Sequence, residues 1–219
     1  MPKIFNTFFR TQKINLLPKS IQNIYYKLIN PVVNFLIKNS INPNLLTTFG
    51  LIFSIISAVL LAKGYFSWAG LSIIIAGTCD VMDGMVARAT GRGSKFGALY
   101  DSSIDRYSEV VMFFGVCFFF VKNDMYITSI AVFISISGSL MVSYIRAKSE
   151  SLGLQCKVGI MQRAERIVYL ALGALLGNIT FVEPSYPVSL IIVIWFIAIF
   201  SNFTAIQRLY HVWKETFNI

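Results

Sequence analysis

The chain has 219 residues, of which 56% are hydrophobic and only 13% charged, and its mean hydropathy is +0.67. Soluble domains carry roughly a quarter of their residues as charged side chains, so the composition excludes an ordinary soluble globular domain and places the chain in the membrane class. The net charge of +9 then reflects basic loops that face anionic lipid head groups, not a nucleic-acid partner.

The first thirty residues are basic and polar, with no apolar stretch ending in a small-residue cleavage site, so no signal peptide is expected. Residues 19–38 mix Ile21, Ile24, Tyr25, Leu28, Ile29, Val32, Val33, Phe35 and Leu36 with Lys27 and Lys38. The apolar residues recur at helical spacing, which predicts an amphipathic helix lying in the membrane interface. Pro43 marks the turn into the first span. Residues 1–43 therefore form an N-terminal arm and interfacial helix, and residues 44–219 a membrane domain.

Six apolar segments follow, at approximately 46–62, 67–89, 97–121, 125–147, 164–181 and 187–209. A span needs about 20 helical residues, and the first and fifth segments are short by that measure. Tight connections such as Lys63–Phe66 and Lys122–Asp124 predict antiparallel neighbours. The expected fold is all-α, a bundle of six transmembrane helices. With both termini in the cytoplasm, seventeen Lys and Arg residues fall on that side; Lys63 and Lys122 alone fall on the other. That asymmetry fixes the orientation in a plasma (inner) membrane. Cys79, Cys117 and Cys156 lie in separate segments without metal-ligand spacing, and read as small apolar packers.

Four of the ten acidic residues, Asp80, Asp83, Asp101 and Asp105, fall within or at the ends of two apolar segments. Ionisable groups there cost about 2.5–3.5 kcal/mol each to insert and are functional candidates by default. Asp80 and Asp83 are three residues apart, and Asp101 and Asp105 four, so each pair shares a helical face. The Gly-rich, basic link 89–96 folds the two helices side by side and lets four carboxylates converge. Such a cluster needs a cation. Oxygen-only ligands suit hard ions, Mg²⁺ or Mn²⁺, and four shared carboxylates suit two of them. Mg²⁺ commonly keeps substrate phosphates in its shell, so a diphosphate is the natural guest. Gly84 leaves room for a ligand beside Asp83, and Arg88, one turn on, can pair with phosphate or carboxylate. Spacing alone leaves two other readings open: buried pairs of these Asp residues with Arg88 and Arg106, and an ion or proton pathway of a membrane transporter.

Residues 80–105 read DVMDGMVARATGRGSKFGALYDSSID. This resembles the signature of the CDP-alcohol phosphatidyltransferases, with matches at Asp80, Asp83, Gly84, Ala87, Arg88, Gly97, Asp101 and Asp105. Eight fixed positions at fixed offsets make a specific signal. The resemblance implies six transmembrane helices, an interfacial N-terminal helix, a homodimer and a two-metal site open to the cytoplasm. It implies Asp80, Asp83 and Asp101 as metal ligands, and Asp105 as the base that also touches the second metal. Upstream, residues 42–47 (NPNLLT) look like the segment before the family's first span, where Asn44, Leu45, Leu46 and Thr47 would contact the nucleotide of CDP-diacylglycerol. Ser94 matches a nucleotide contact in the link.

The second half bears on the acceptor. SYIRAKSE at 143–150, GIMQRAERIV at 159–168 and QRLYHVW at 207–213 look like the phosphatidylinositol phosphate synthase branch, in which three basic residues hold the phosphate of inositol 1-phosphate. The matching positions are Arg146, Arg163 and Arg208; the first is often Lys in that branch. The crowding of Arg146, Lys148, Arg163 and Arg166 at span ends suits a phosphorylated acceptor. Glycerol 3-phosphate, the acceptor for phosphatidylglycerol phosphate synthesis, would also use such a cluster.

Overall fold

A computed structural model of the chain describes residues 19–91, 93–177 and 186–217. Among these residues all regular structure is helical: α1 Lys19–Lys38, α2 Pro43–Ala62, α3 Phe66–Thr90, α4 Lys95–Lys122, α5 Tyr126–Ser151, α6 Arg163–Leu175 and α7 Val188–Thr216. The expected arm basic residues Lys3, Arg10 and Lys13, and Arg92 of the link, lie outside the described residues.

A helix is present over the residues expected for the interfacial one. One face of α1 exposes Ile24, Leu28, Val32 and Phe35, while Ile29 and Val33 are buried. Val33 packs with Leu46 of α2 and Val86 of α3. An apolar face turned outward with basic residues beside it is what an interfacial helix needs. Its inner face fixes it over the Asp80–Asp83 end of α3.

Four helices, α2, α3, α5 and α7, are long and apolar enough to cross a membrane, and the protein is a multi-pass membrane protein. The other two expected spans differ for separate reasons. With 28 residues, α4 extends about 42 Å at 1.5 Å per residue. It is long enough, but its first half carries Asp101, Asp105, Arg106 and Glu109. The 13 residues of α6 extend only about 20 Å, and the end of the expected fifth segment, residues 178–181, lies outside the described residues.

Six helices close a ring. Going round it, α2 packs on α3, α3 on α6, α6 on α7, α7 on α5, α5 on α4, and α4 on α2 again, with α1 outside against α3. The expectation that α3 and α4 lie side by side is therefore corrected: α2 stands between them. Small residues on α2 make this arrangement fit. Gly50 lies against Ala76 and Cys79 of α3, and the Gly115 backbone of α4 meets that of Ala58 so closely that a Cβ there would collide. Small residues that let backbones approach are the usual currency of helix packing in lipid.

The core fills one end of the ring. Phe66 and Ile73 of α3, Met112, Phe113, Val116 and Phe120 of α4, Leu170 of α6, and Leu190 and Ile194 of α7 form one buried cluster. These residues lie at the ends of α3 and α4 away from the four Asp residues. At the motif end the ring is not filled, and cavities open there instead. The three cysteines are buried and free, as expected.

Candidate active site

The start of α2 organises the site. Asn42 caps it, its side-chain oxygen accepting from the Asn44 N–H at 3.0 Å, with Pro43 in the first turn. This is the favoured pairing of a polar cap with an N1 proline. One turn on, the buried Thr47 hydroxyl donates to Asp83 Oδ2 at 2.5 Å, and Thr48 shares a hydrogen bond with the Tyr100 hydroxyl at 2.9 Å. Two adjacent threonines thus tie α2 to α3 and to α4. Leu46 is buried against α1 and α3, whereas Leu45 is exposed.

The link between α3 and α4 is shaped by its capping residues. Gly91 ends α3 in the left-handed conformation, φ 64°, which favours glycine. Ser94 caps α4, accepting from the Gly97 N–H at 2.8 Å. A Cβ on Gly97 would stand 3.1 Å from Ser94 Oγ and 3.3 Å from Asn44 Oδ1. Gly97 therefore lets the link approach the head of α2. On α3, the Arg88 guanidinium folds over Gly84, 3.2 Å from where a Cβ would be.

Asp80 of α3 and Asp101 and Asp105 of α4 bring one carboxylate oxygen each within 4.8 Å of one another. Asp83 is not one of the three within that distance; it is only 6% exposed and accepts the hydrogen bond from Thr47. A ligand set of three carboxylate oxygens, with no His or Cys in the group, fits a hard divalent ion. Arg163, the first residue of α6, reaches across the ring into the trio. Its Nη1 donates to Asp80 Oδ2 at 3.0 Å and its Nη2 to Asp105 Oδ1 at 2.7 Å.

Two cavities meet at this point. One, of about 330 Å³, is lined mainly by apolar residues of α2, α3, α4 and α6, with Tyr25 of α1 at its edge. Tyr25 donates to Thr78 Oγ1 at 3.3 Å, and burial pushes its phenol up. The other, of about 610 Å³, is lined by Asp101, Asp105, Arg106, Arg146, Arg163 and Arg208 among others. Arg163 and Asp105 border both. All three arginines expected to serve a phosphate therefore face one polar cavity. Arg208 is buried and anchored, donating to Val158 O at 2.8 Å and Val142 O at 2.5 Å. Arg146 is exposed and paired with Glu150 at 2.9 Å.

Comparison with known proteins settles the class. The family model for CDP-alcohol phosphatidyltransferase matches residues 40–204. The chain belongs to that family. It is 32% identical over 206 residues to a phosphatidylinositol phosphate synthase of Streptomyces avermitilis, covering 92% of this chain and 84% of the relative. It is 35% identical over 154 residues to an archaetidylinositol phosphate synthase of Methanothermobacter thermautotrophicus, covering 70% and 74%. Among solved structures it resembles a Mycobacterium tuberculosis phosphatidylinositol phosphate synthase with CDP-DAG bound. That match has a TM-score of 0.76 and 29% identity over 85% of this chain and 94% of that one. A form of the same enzyme with manganese and citrate gives a TM-score of 0.75 and 30% identity, over 84% and 88%.

Beside this candidate site lies a feature that the sequence alone did not single out. Glu109 on α4 and Arg166 on α6 form a buried two-pronged pair, with Arg166 Nε 2.5 Å from Glu109 Oε1 and Nη2 2.9 Å from Oε2. Its signal was present: Glu109 continues the face of Asp101 and Asp105 at steps of four, and Arg166 follows Arg163 at a step of three. In the loop before α6, burial pushes the Cys156 thiol up while Arg208 draws it down.

Proposed function

We propose that the protein transfers the phosphatidyl group of CDP-diacylglycerol to inositol 1-phosphate, releasing CMP. The observation that carries this reading is the position of the carboxylate trio between an apolar cavity and a cavity edged by Arg146, Arg163 and Arg208. The apolar side suits a lipid donor and the arginine side a phosphorylated polyol. The names of the relatives, the CDP-DAG in one solved neighbour and the manganese in another support the same assignment.

In this mechanism Asn44, Leu45, Leu46, Thr47 and Ser94 take the nucleotide end of the donor, and Arg88, folded over Gly84, meets its phosphates. Two Mg²⁺ ions held by Asp80, Asp83, Asp101 and Asp105, with Mn²⁺ as a substitute, would supply Lewis-acid charge to the diphosphate and the leaving CMP. Thr47 fixes the Asp83 carboxylate for that purpose. Asp105 accepts the proton of the inositol hydroxyl, whose oxygen attacks the β-phosphorus. The P–O bond to CMP breaks as the new one forms. Arg163, Arg146 and Arg208 hold the acceptor phosphate and turn the hydroxyl toward Asp105. The full reading includes α4 and α6 as the remaining two of six spans, a site facing the cytoplasm of a plasma membrane, and a homodimer.

The test is CMP release from CDP-diacylglycerol by purified protein across a panel of acceptors. Inositol 1-phosphate should be preferred over glycerol 3-phosphate and over free inositol. Preference for glycerol 3-phosphate would redirect the acceptor assignment, and robust turnover of free inositol would remove the arginines from it.

A further inference from the structure

The Asp105–Arg163 pair is one of two that cross the ring between α4 and α6. One turn deeper lies Glu109–Arg166. The two helices are opposite each other and do not pack along their backbones. Cavities flank the gap between them. Long charged side chains bridge the gap at this level.

The chain leading into α6 is tied to α7, where Arg208 donates to Val158 O, but the first turn of α6 has no cap of its own. Gln162 at its cap makes no side-chain capping bond, and the chain before it, residues 154–162, is irregular apart from a bend. The junction is gripped at Met161. Its N–H donates to Thr204 Oγ1 of α7 at 3.0 Å, and its carbonyl accepts from Arg166 Nη1 at 3.2 Å. Arg166 thus joins three parts of the ring: α4 through Glu109, the loop through Met161, and α6 through its own backbone. Arg163 begins on the next residue but one. Its Nε is buried without a hydrogen-bond partner, so its direction depends on its two carboxylates and on where α6 begins.

Stability does not account for this arrangement. Arg166 is fully buried and Glu109 is 4% exposed, and a buried ion pair rarely stabilises more than an apolar pair of the same volume. A planar guanidinium gripping a carboxylate with two prongs does fix geometry. Glu109 also borders the polar cavity. Pairing with Arg166 neutralises a negative charge that would otherwise repel a phosphate there.

We propose that Glu109 and Arg166 are positioning residues: they set the start of α6 so that Arg163 points into the polar cavity, and they mask the Glu109 charge from the acceptor phosphate. This rests on the reading of that cavity as the acceptor site.

The experiment measures KM for donor and acceptor, and the preference for inositol 1-phosphate over inositol, with full-length protein in lipid vesicles. Glu109→Gln and the double variant Glu109→Gln/Arg166→Gln should raise the acceptor KM by about tenfold and narrow that preference, with the donor KM unchanged. Arg166→Gln alone should do more, because it leaves Glu109 unpaired beside the phosphate; Arg166→Lys should recover part of the loss. A folded double variant with the parent's acceptor KM and preference would overturn the proposal. So would an unfolded double variant combined with a folded Glu109→Gln protein of parental acceptor KM, since the pair would then serve stability alone. Arg163→Ala is the control. If it leaves the acceptor KM unchanged, the reading of the cavity fails; if it raises that KM while the pair variants do not, the positioning role fails by itself.

Discussion

The two halves of α4 belong to one helix and do opposite work. Residues 110–122 bury Met112, Phe113, Val116, Phe119 and Phe120 in the core at the closed end of the ring. Residues 95–109 carry Asp101, Asp105, Arg106 and Glu109, and border cavities. The packed half anchors the helix, which lets the other half hold like charges a few ångströms apart. Rigid support behind a costly constellation is how preorganised sites persist. Substitutions in the two halves should therefore separate cleanly, those in the first half changing chemistry and those in the second changing stability.

Removing divalent ions should produce the largest effect. Excess chelator is expected to abolish turnover, with recovery by Mg²⁺ or Mn²⁺ and little by Ca²⁺, whose larger shell and looser geometry differ from those of Mg²⁺. Full turnover in excess EDTA would end the metal mechanism. Next, Asp105→Asn should lower kcat by about 10²–10⁴-fold if Asp105 is the base, with donor affinity mostly kept. Asp80→Asn should instead lose metal and donor binding together. Equilibrium binding of the donor distinguishes the two, and a nearly parental rate in Asp105→Asn would move the base elsewhere.

Arg163→Ala sharpens the comparison on the opposite wall. A charged hydrogen bond to phosphate contributes roughly 1.5–3 kcal/mol, so the acceptor KM should rise about tenfold or more with the donor KM nearly unchanged. The smallest effect on chemistry belongs to the packed half. Gly115→Val would push a side chain into the Ala58 backbone, and overpacking of this kind costs about 1–3 kcal/mol. The thermal midpoint in detergent should fall, while both KM values of the folded fraction stay at parental levels. A changed acceptor KM in Gly115→Val would show that the two halves are not separable.

Much of this was legible in the sequence because it depends on local periodicity. The first helix follows from apolar residues at helical spacing between Lys19 and Lys38, and the carboxylate faces follow from the three- and four-residue steps. What the sequence does not carry is which helix each face meets. Gly50 and Gly115 announce close packing without naming a partner, so the insertion of α2 between α3 and α4 was not foreseen. Likewise, the hydrogen bond from Thr47 to Asp83 joins residues 36 apart in the sequence and has no local signature. The reach of Arg163 to Asp80 spans 83 residues and has no local signature. Glu109 was legible by its spacing but sat at the edge of an apolar run, where a single acid draws less notice than a pair.

The wall shared by the two cavities has a kinetic consequence. If Arg163 and Asp105 divide a lipid-fed chamber from a water-fed one, the two substrates are counted in different units. The donor's availability is set by its mole fraction in the bilayer, and diluting it with inert lipid should slow turnover even when its total amount is fixed. The acceptor answers to its molar concentration in the aqueous phase and is indifferent to that dilution. One enzyme then obeys surface kinetics toward one substrate and solution kinetics toward the other, and the boundary between the two regimes is about one side chain thick.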